Sequence, residues 1–157
     1  MAGTPDTGEI PHLPGVRVLL VAAPYHREIH ALLETGARRV LARAGARVET
    51  VTVPGALEIP AAVALADRHG GFDAYVALGC VVRGETFHFE IVALESARGL
   101  TELAVRGGLC IGNGILTVDR LDQARRRADP DGEDKGGFAA RAALTLLAWR
   151  RRLEAGR

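Results

Sequence analysis

The sequence predicts a single α/β domain, a three-layer sandwich built on a four-stranded parallel sheet. Two observations lead there. Four short apolar runs, Val16–Ala23, Arg47–Val53, Phe72–Gly79 and Gly108–Leu116, have the length and the Val, Leu, Ile and Ala content of strands covered on both faces. Segments with helical spacing separate them, and strand alternating with helix implies parallel pairing through right-handed crossovers.

In the first helical segment Ile29, Leu32, Leu33, Val40 and Leu41 recur at steps of three and four, and Gly45 ends it as a C-terminal glycine does. A second helix is expected over about Glu58–His69, stopping at Gly70-Gly71. A third, about His88–Arg106, carries Ile91, Val92, Leu94, Leu100 and Leu103. A fourth, Arg120–Ala128, is short and basic, and the last covers about Gly137–Glu154. Within that last helix, Phe138–Trp149 is apolar or small on nearly every face apart from Arg141 and Thr145. One face should cover the sheet. A second apolar face points to a partner subunit, against the plainer alternative of a helix buried within one domain. The arrangement is flavodoxin-like. Residues 1–15, with their Pro, Gly and polar content, read as a loose tail, and residues 16–157 as one domain without internal repeat or dividing linker.

Composition excludes several classes. At 157 residues the chain is long enough to bury one sizeable core. With 48% apolar and 25% charged residues it has a globular rather than a disordered balance. A formal charge of +1 gives no bulk attraction to nucleic acid or to a membrane. No apolar run approaches the roughly 20 residues of a spanning helix. The start, MAGTPDTGEIPHLPG, has neither the basic leader nor the apolar stretch of a secretory signal. Cys80 and Cys110 each lie in an apolar run, so they read as small buried hydrophobes in a reducing cytoplasm rather than as a disulfide framework.

In open parallel sheets ligands bind beyond the carboxyl ends of the strands. Those ends here are Ala23-Pro24-Tyr25-His26, then VPGALEIP (Val53–Pro60), GCVVRGETFHFE (Gly79–Glu90) and NGILTVD (Asn113–Asp119). In the third, Gly84-Glu85-Thr86 precedes a helix, whose free N–H groups can receive an anion. There Gly84 would allow close approach and Thr86 could add a hydroxyl, or Thr86 could simply cap the helix. The carboxylate of Glu85 would repel a phosphate, so its N–H is the candidate group. His88 lies between Phe87 and Phe89; an imidazole suits proton transfer, although a histidine among aromatics is often only packed. Among Arg125, Arg126 and Arg127 one could clamp a phosphate, the alternative being a solvated face. Tyr25 could stack on a flat ring or be a plain surface aromatic. Glu58 is explained as well by helix-dipole placement as by a ligand contact. Unaided, Lys135 reads as a loop lysine. His26 and His30 have a helical metal-ligand spacing but no third ligand nearby, so no metal is expected.

Together these segments resemble the lumazine synthase family. VPGALEIP is similar to its VPGAFEIP segment, ALGCVVRGETFHFE to its ALGxVIRGETxH stretch, NGILTVDRLDQARRRA to its LT…QA…RA segment, and DKGGFAARAAL to its last helix entry. The similarity covers about Val16–Arg152 in order. It implies condensation of 5-amino-6-(D-ribitylamino)uracil with 3,4-dihydroxy-2-butanone 4-phosphate, with no cofactor and no metal, and a product passed to riboflavin synthase. It further implies that Tyr25 stacks on the uracil and that Ala56, Leu57 and Glu58 hold the ribityl chain and pyrimidine edge. Backbone groups of Cys80, Val81 and Val82 would read the uracil. Phosphate would sit on the N–H groups of Glu85 and Thr86 and on Arg127, with His88 shuttling protons and Lys135 assisting at the pyrimidine. The family's pocket lies between adjacent subunits of a homo-oligomeric pentamer, so residues from Asn113 onward would come from a neighbour. Tyr25 stands in place of Phe or Trp, His26 where Asn is common, Leu57 in place of Phe, and Asn113 where many members have Phe. The loop ADPDGEDKG lacks the GTKAGNKG form associated with sixty-subunit capsids, which favours a smaller assembly.

Three competitors remain. A non-catalytic lumazine or flavin carrier of the same fold would need neither His88 nor Arg127. A phosphotransfer receiver would need acidic clusters where Ala23-Pro24 and Gly79-Cys80 stand. A dinucleotide-binding domain would need GxGxxG after the first strand.

Overall fold

The computed structural model describes residues 8–156. Four strands, β1 (Arg17–Ala22), β2 (Arg47–Thr52), β3 (Ala74–Val82) and β4 (Ile111–Val118), pair in parallel in the order β2-β1-β3-β4. The helices are α1 (Arg27–Ala44), α2 (Ile59–His69), α3 (His88–Gly107), α4 (Leu121–Ala128) and α5 (Lys135–Ala155). A single 3-10 turn, Ala56–Glu58, leads into α2. The three-layer parallel α/β architecture is the one the alternating runs imply.

Side-chain alternation along the strands builds two cores. Val18, Leu20 and Ala22 of β1, with Ala74, Val76 and Leu78 of β3, face α1 and α5. The intervening Leu19, Val21, Tyr75 and Ala77 face Ile59 and Val63 of α2 and Leu100 of α3. The first core is the larger, and α1 and α5 close on it through glycines. A methyl group on Gly136 would overlap the Leu33 carbonyl of α1, and one on Gly112 would overlap the Ala139 carbonyl of α5. Asp134 sets the start of α5. It adopts φ +44°, and its carboxylate accepts from Gly137 N at 2.9 Å. Burial pushes that carboxyl above its ordinary value.

Some expectations are corrected. β2 was expected to be covered on both faces, but RVETVT is largely exposed, because it is an edge strand that among the described residues pairs with β1 alone. β3 runs to Val82, three residues past the expected end, because Cys80, Val81 and Val82 still pair with Leu116, Thr117 and Val118. Gly108, expected to open β4, instead ends α3 in the left-handed region at φ +67°. α5 begins at Lys135, two residues before the expected Gly137, because Asp134 caps it.

The expected tail at residues 1–15 falls partly outside the described residues, 1–7 being beyond them. In the described part, Ile10 and Leu13 pack on the first core, and Leu13 N donates to Ala44 O at 2.9 Å. Cys80 and Cys110 are buried and unpaired. Phe138, Leu146, Trp149 and Leu153 form an outward apolar stripe on α5. On the opposite layer Leu65, Phe87, Ile91, Leu94 and Val105 also point outward.

Candidate active site

The chain leaves β1 through α1 on one face and returns from β2 through α2 on the other. The β1–β3 junction is therefore the point where the winding reverses, the place where open α/β sheets hold ligands. A cleft of about 490 Å³ opens there. Its walls are Tyr25 and His26 after β1, Pro54–Glu58 after β2, Cys80–Val82 at the end of β3, and His88 and Val92 of α3.

Tyr25 is 78% exposed, and His26 meets it edge-on at 5.1 Å, so a ring face remains open to a flat partner. The 3-10 turn brings Ala56, Leu57 and Glu58 to the rim, with Glu58 N donating to Gly55 O at 3.2 Å. β3 is last paired with β1 at Leu78, where Ala23 N donates at 2.9 Å. Beyond it Gly79–Val82 pairs with β4 alone, and alternation turns the main-chain groups of Cys80 and Val82 toward the vacant side. Val81 packs its side chain on the second core. Burial pushes the Cys80 thiol up to about 11, so it stays protonated at neutral pH and is no nucleophile.

The Gly84–Phe87 turn opens α3. Among the described residues no side chain caps this helix, whose N-cap is Phe87, so Thr86 is not the cap that one sequence reading allowed. The helix start keeps its dipole and first N–H groups uncovered. His88 is the first helical residue, exposed and on the cleft wall. Glu85 and Thr86 are exposed just ahead of it and do not line the cleft.

Asn113, Arg127 and Lys135 lie elsewhere. They share a second hollow of about 330 Å³ with Gly114–Thr117 and Phe138, and none of the first cleft's lining residues takes part in it. Asn113 Oδ1 accepts from Ile115 N at 2.9 Å. Lys135 Nζ lies 4.0 Å from Glu133 and 5.6 Å from the Phe138 ring centre. The three arginines of α4 differ. Arg125 holds Glu28 through two contacts of 2.9 Å, which keeps that carboxyl below its ordinary value, and Arg126 reaches Glu133 at 3.3 Å. Among the described residues Arg127 makes no ion pair. His30 pairs with Glu34 at 3.1 Å.

One chain thus brings together Tyr25, Ala56, Leu57, Glu58, Cys80, Val81, Val82 and His88, and sets Asn113, Lys135 and Arg127 apart. Sequence reasoning missed Val92 as a wall residue, although it sits one helical turn from His88. It also missed Arg83, which donates to Glu90 and Asp119 and lies 4.3 Å over the Phe89 ring. The Glu90 partner is seven residues away and within reach of inspection; no spacing rule links Arg83 to Asp119.

Residues 15–151 match the family model of 6,7-dimethyl-8-ribityllumazine synthase. The chain belongs to the lumazine synthase family. A 6,7-dimethyl-8-ribityllumazine synthase of Novosphingobium aromaticivorans is 56% identical over 136 residues, covering 87% of this chain and 97% of the relative. That of Sphingopyxis alaskensis is 57% identical over 131 residues, 83% and 92% of the two chains. A 6,7-dimethyl-8-ribityllumazine synthase 1 of Rhizobium meliloti is 52% identical over 145 residues, 89% and 95%. The lumazine synthase match runs from just before β1 into the last turns of α5, so it takes in both the cleft and the second hollow. Among the described residues no group of three His, Cys, Asp or Glu side chains is placed to hold a metal, and no helix is long and apolar enough to cross a membrane.

Proposed function

We propose that this chain condenses 5-amino-6-(D-ribitylamino)uracil with 3,4-dihydroxy-2-butanone 4-phosphate to 6,7-dimethyl-8-ribityllumazine, releasing phosphate and water. The observation that carries this is the cleft itself. An open aromatic face, an unpaired strand edge and an exposed imidazole at an uncapped helix start converge there. The flat uracil stacks on Tyr25. Its edge meets the main chain of Cys80–Val82, and the ribityl hydroxyls meet Ala56, Leu57 and Glu58. The butanone phosphate lies at the start of α3, on the N–H groups of Glu85 and Thr86. The ring amine attacks the ketone, and the adduct loses water to form an imine. Removal of a carbon-bound proton expels phosphate, and the ribitylamino nitrogen closes the second ring with loss of water. His88 moves protons in these steps.

Arg127, Lys135 and Asn113 complete the site from a neighbouring subunit. Two features support this: the second hollow is separate from the cleft on one chain, and apolar side chains on α2, α3 and α5 stand uncovered. A contact between unlike surfaces gives a ring when its rotation closes and a filament when it does not; we take it to close as a pentamer. We place it in the cytoplasm, where Cys80 and Cys110 stay reduced, with its product passed to riboflavin synthase.

Incubating the pure protein with both substrates should yield lumazine fluorescence and stoichiometric phosphate. Tight lumazine binding without turnover would mean a carrier instead. Mass photometry should show pentamers or larger particles, and an active monomer would overturn the shared site.

A further inference from the structure

We propose that Arg83 is a positioning residue for the phosphate end of the reaction, its guanidinium fixing the Gly84–Phe87 turn and the start of α3 by tying three chain segments together. This rests on the condensation described above.

Arg83 N donates to Val118 O at 2.9 Å, the last rung between β3 and β4. The next anchored group is the Phe87 carbonyl, which accepts from Glu90 N at 3.1 Å. Among the described residues no hydrogen bond, main-chain or side-chain, ties Gly84, Glu85 or Thr86 to the rest of the chain. The turn that would receive the phosphate is therefore held only at its two ends.

The Arg83 side chain bridges those ends. Nη1 donates to Glu90 Oε1 at 2.5 Å, in the first turn of α3 and two residues after His88. Nε donates to Asp119 Oδ1 at 2.7 Å, just past β4. The guanidinium also covers the ring of Phe89 at 4.3 Å. A planar fork can serve two carboxylates and one ring face at once, whereas an ammonium cannot hold that geometry. Two carboxylates already neutralise this cation, so it acts as a strut rather than as a counter-ion for phosphate. The ion pairs are exposed, with Arg83 48% accessible, so their effect lies in geometry more than in stability. Geometry is what the phosphate end needs, since a misplacement of about 1 Å can cost roughly 100-fold in rate.

The test uses Arg83→Lys, Arg83→Gln and Glu90→Gln, read by steady-state kinetics on each substrate, by inorganic phosphate affinity from calorimetry, and by thermal unfolding. The variants should lose about 10- to 100-fold in kcat/KM for the butanone phosphate. KM for the ribitylaminouracil and the unfolding midpoint should scarcely move, and Arg83→Lys should not restore the wild-type values. Arg83→Gln combined with Glu90→Gln should be little worse than either alone, because the two residues share one contact. A fully active Arg83→Lys enzyme overturns the proposal, as do variants that lose stability while keeping their kinetic constants. If the wild-type protein forms no lumazine, the condensation reading fails. Weaker inorganic phosphate binding by the variants than by wild type then still supports the strut, and equal binding overturns it.

Discussion

Arg127→Ala removes a half-buried guanidinium that no carboxylate pairs among the described residues, from a hollow it shares with Lys135. The uncapped start of α3 carries only about half a positive charge. A phosphate ester near neutral pH carries roughly 1.5 to 2 negative charges, so a further cation is needed to balance it. A hydrogen bond to a charged group is worth about 1.5–3 kcal/mol, so the variant should raise KM for the butanone phosphate about 10- to 150-fold. KM for the ribitylaminouracil should change far less, since the stacking face of Tyr25 lines the cleft and not the hollow that holds Arg127. The control is Arg125→Ala. That guanidinium is already occupied by Glu28 through two 2.9 Å contacts at the surface, so its loss should leave both constants nearly unchanged. Steady-state kinetics with each substrate varied in turn decides the matter. Equal damage from the two variants, or an Arg127→Ala enzyme with wild-type KM for the phosphate substrate, would refute the assignment.

His88→Ala should slow turnover by roughly 10- to 10⁴-fold with both substrates still bound, which single-turnover fluorescence would reveal; an unchanged rate removes His88 from the mechanism. Gly136→Ala drives a methyl into the Leu33 carbonyl. At about 1–3 kcal/mol for overpacking, and about 2–4 °C per kcal/mol, calorimetry should show Tm lowered by about 2–12 °C. Asp134→Asn should keep the α5 cap and tolerate the left-handed backbone while removing a desolvated charge. Because burial raises the folded carboxyl above 3.8, ionisation costs more in the folded chain than in the unfolded one, and stability falls as pH rises from there through the folded value. In denaturant unfolding the stability of the parent relative to the Asn variant should fall across that window, leaving the Asn variant at least as stable at neutral pH.

What was legible in the sequence follows from what neighbours could mask. β1 and β3 are covered on both faces, so their apolar runs announce them, whereas β4, at the other edge of the sheet, leaves Asn113 and Thr117 exposed against the same expectation. β2 borrowed that reading although its Arg47, Glu49 and Thr52 are the residues of an exposed edge. Tyr25, Ala56–Glu58, Cys80–Val82 and His88 were readable as candidates because each lies at or just past the carboxyl end of a strand, and the sheet gathers those ends. That Arg127, rather than Arg125 or Arg126, stays free of carboxylates depends on Glu28 and Glu133, which α1 and the α4–α5 loop bring in from elsewhere. The Arg83–Asp119 contact likewise exists only once β3 and β4 lie side by side. The true end of β3 was hidden because Cys80-Val81-Val82 looks the same whether it finishes a strand or begins a turn.

The overhang of β3 past β1 separates what the strand offers the cleft from what its side chains do. Its offering to the cleft is peptide groups, and every residue except proline supplies the same N–H and C=O. The side chains at 80–82 are then free to follow the demands of packing, and a cysteine whose thiol stays protonated at neutral pH can stand on the cleft wall without acting as a nucleophile. Such a wall depends on the path of the chain more than on the side chains that line the strand.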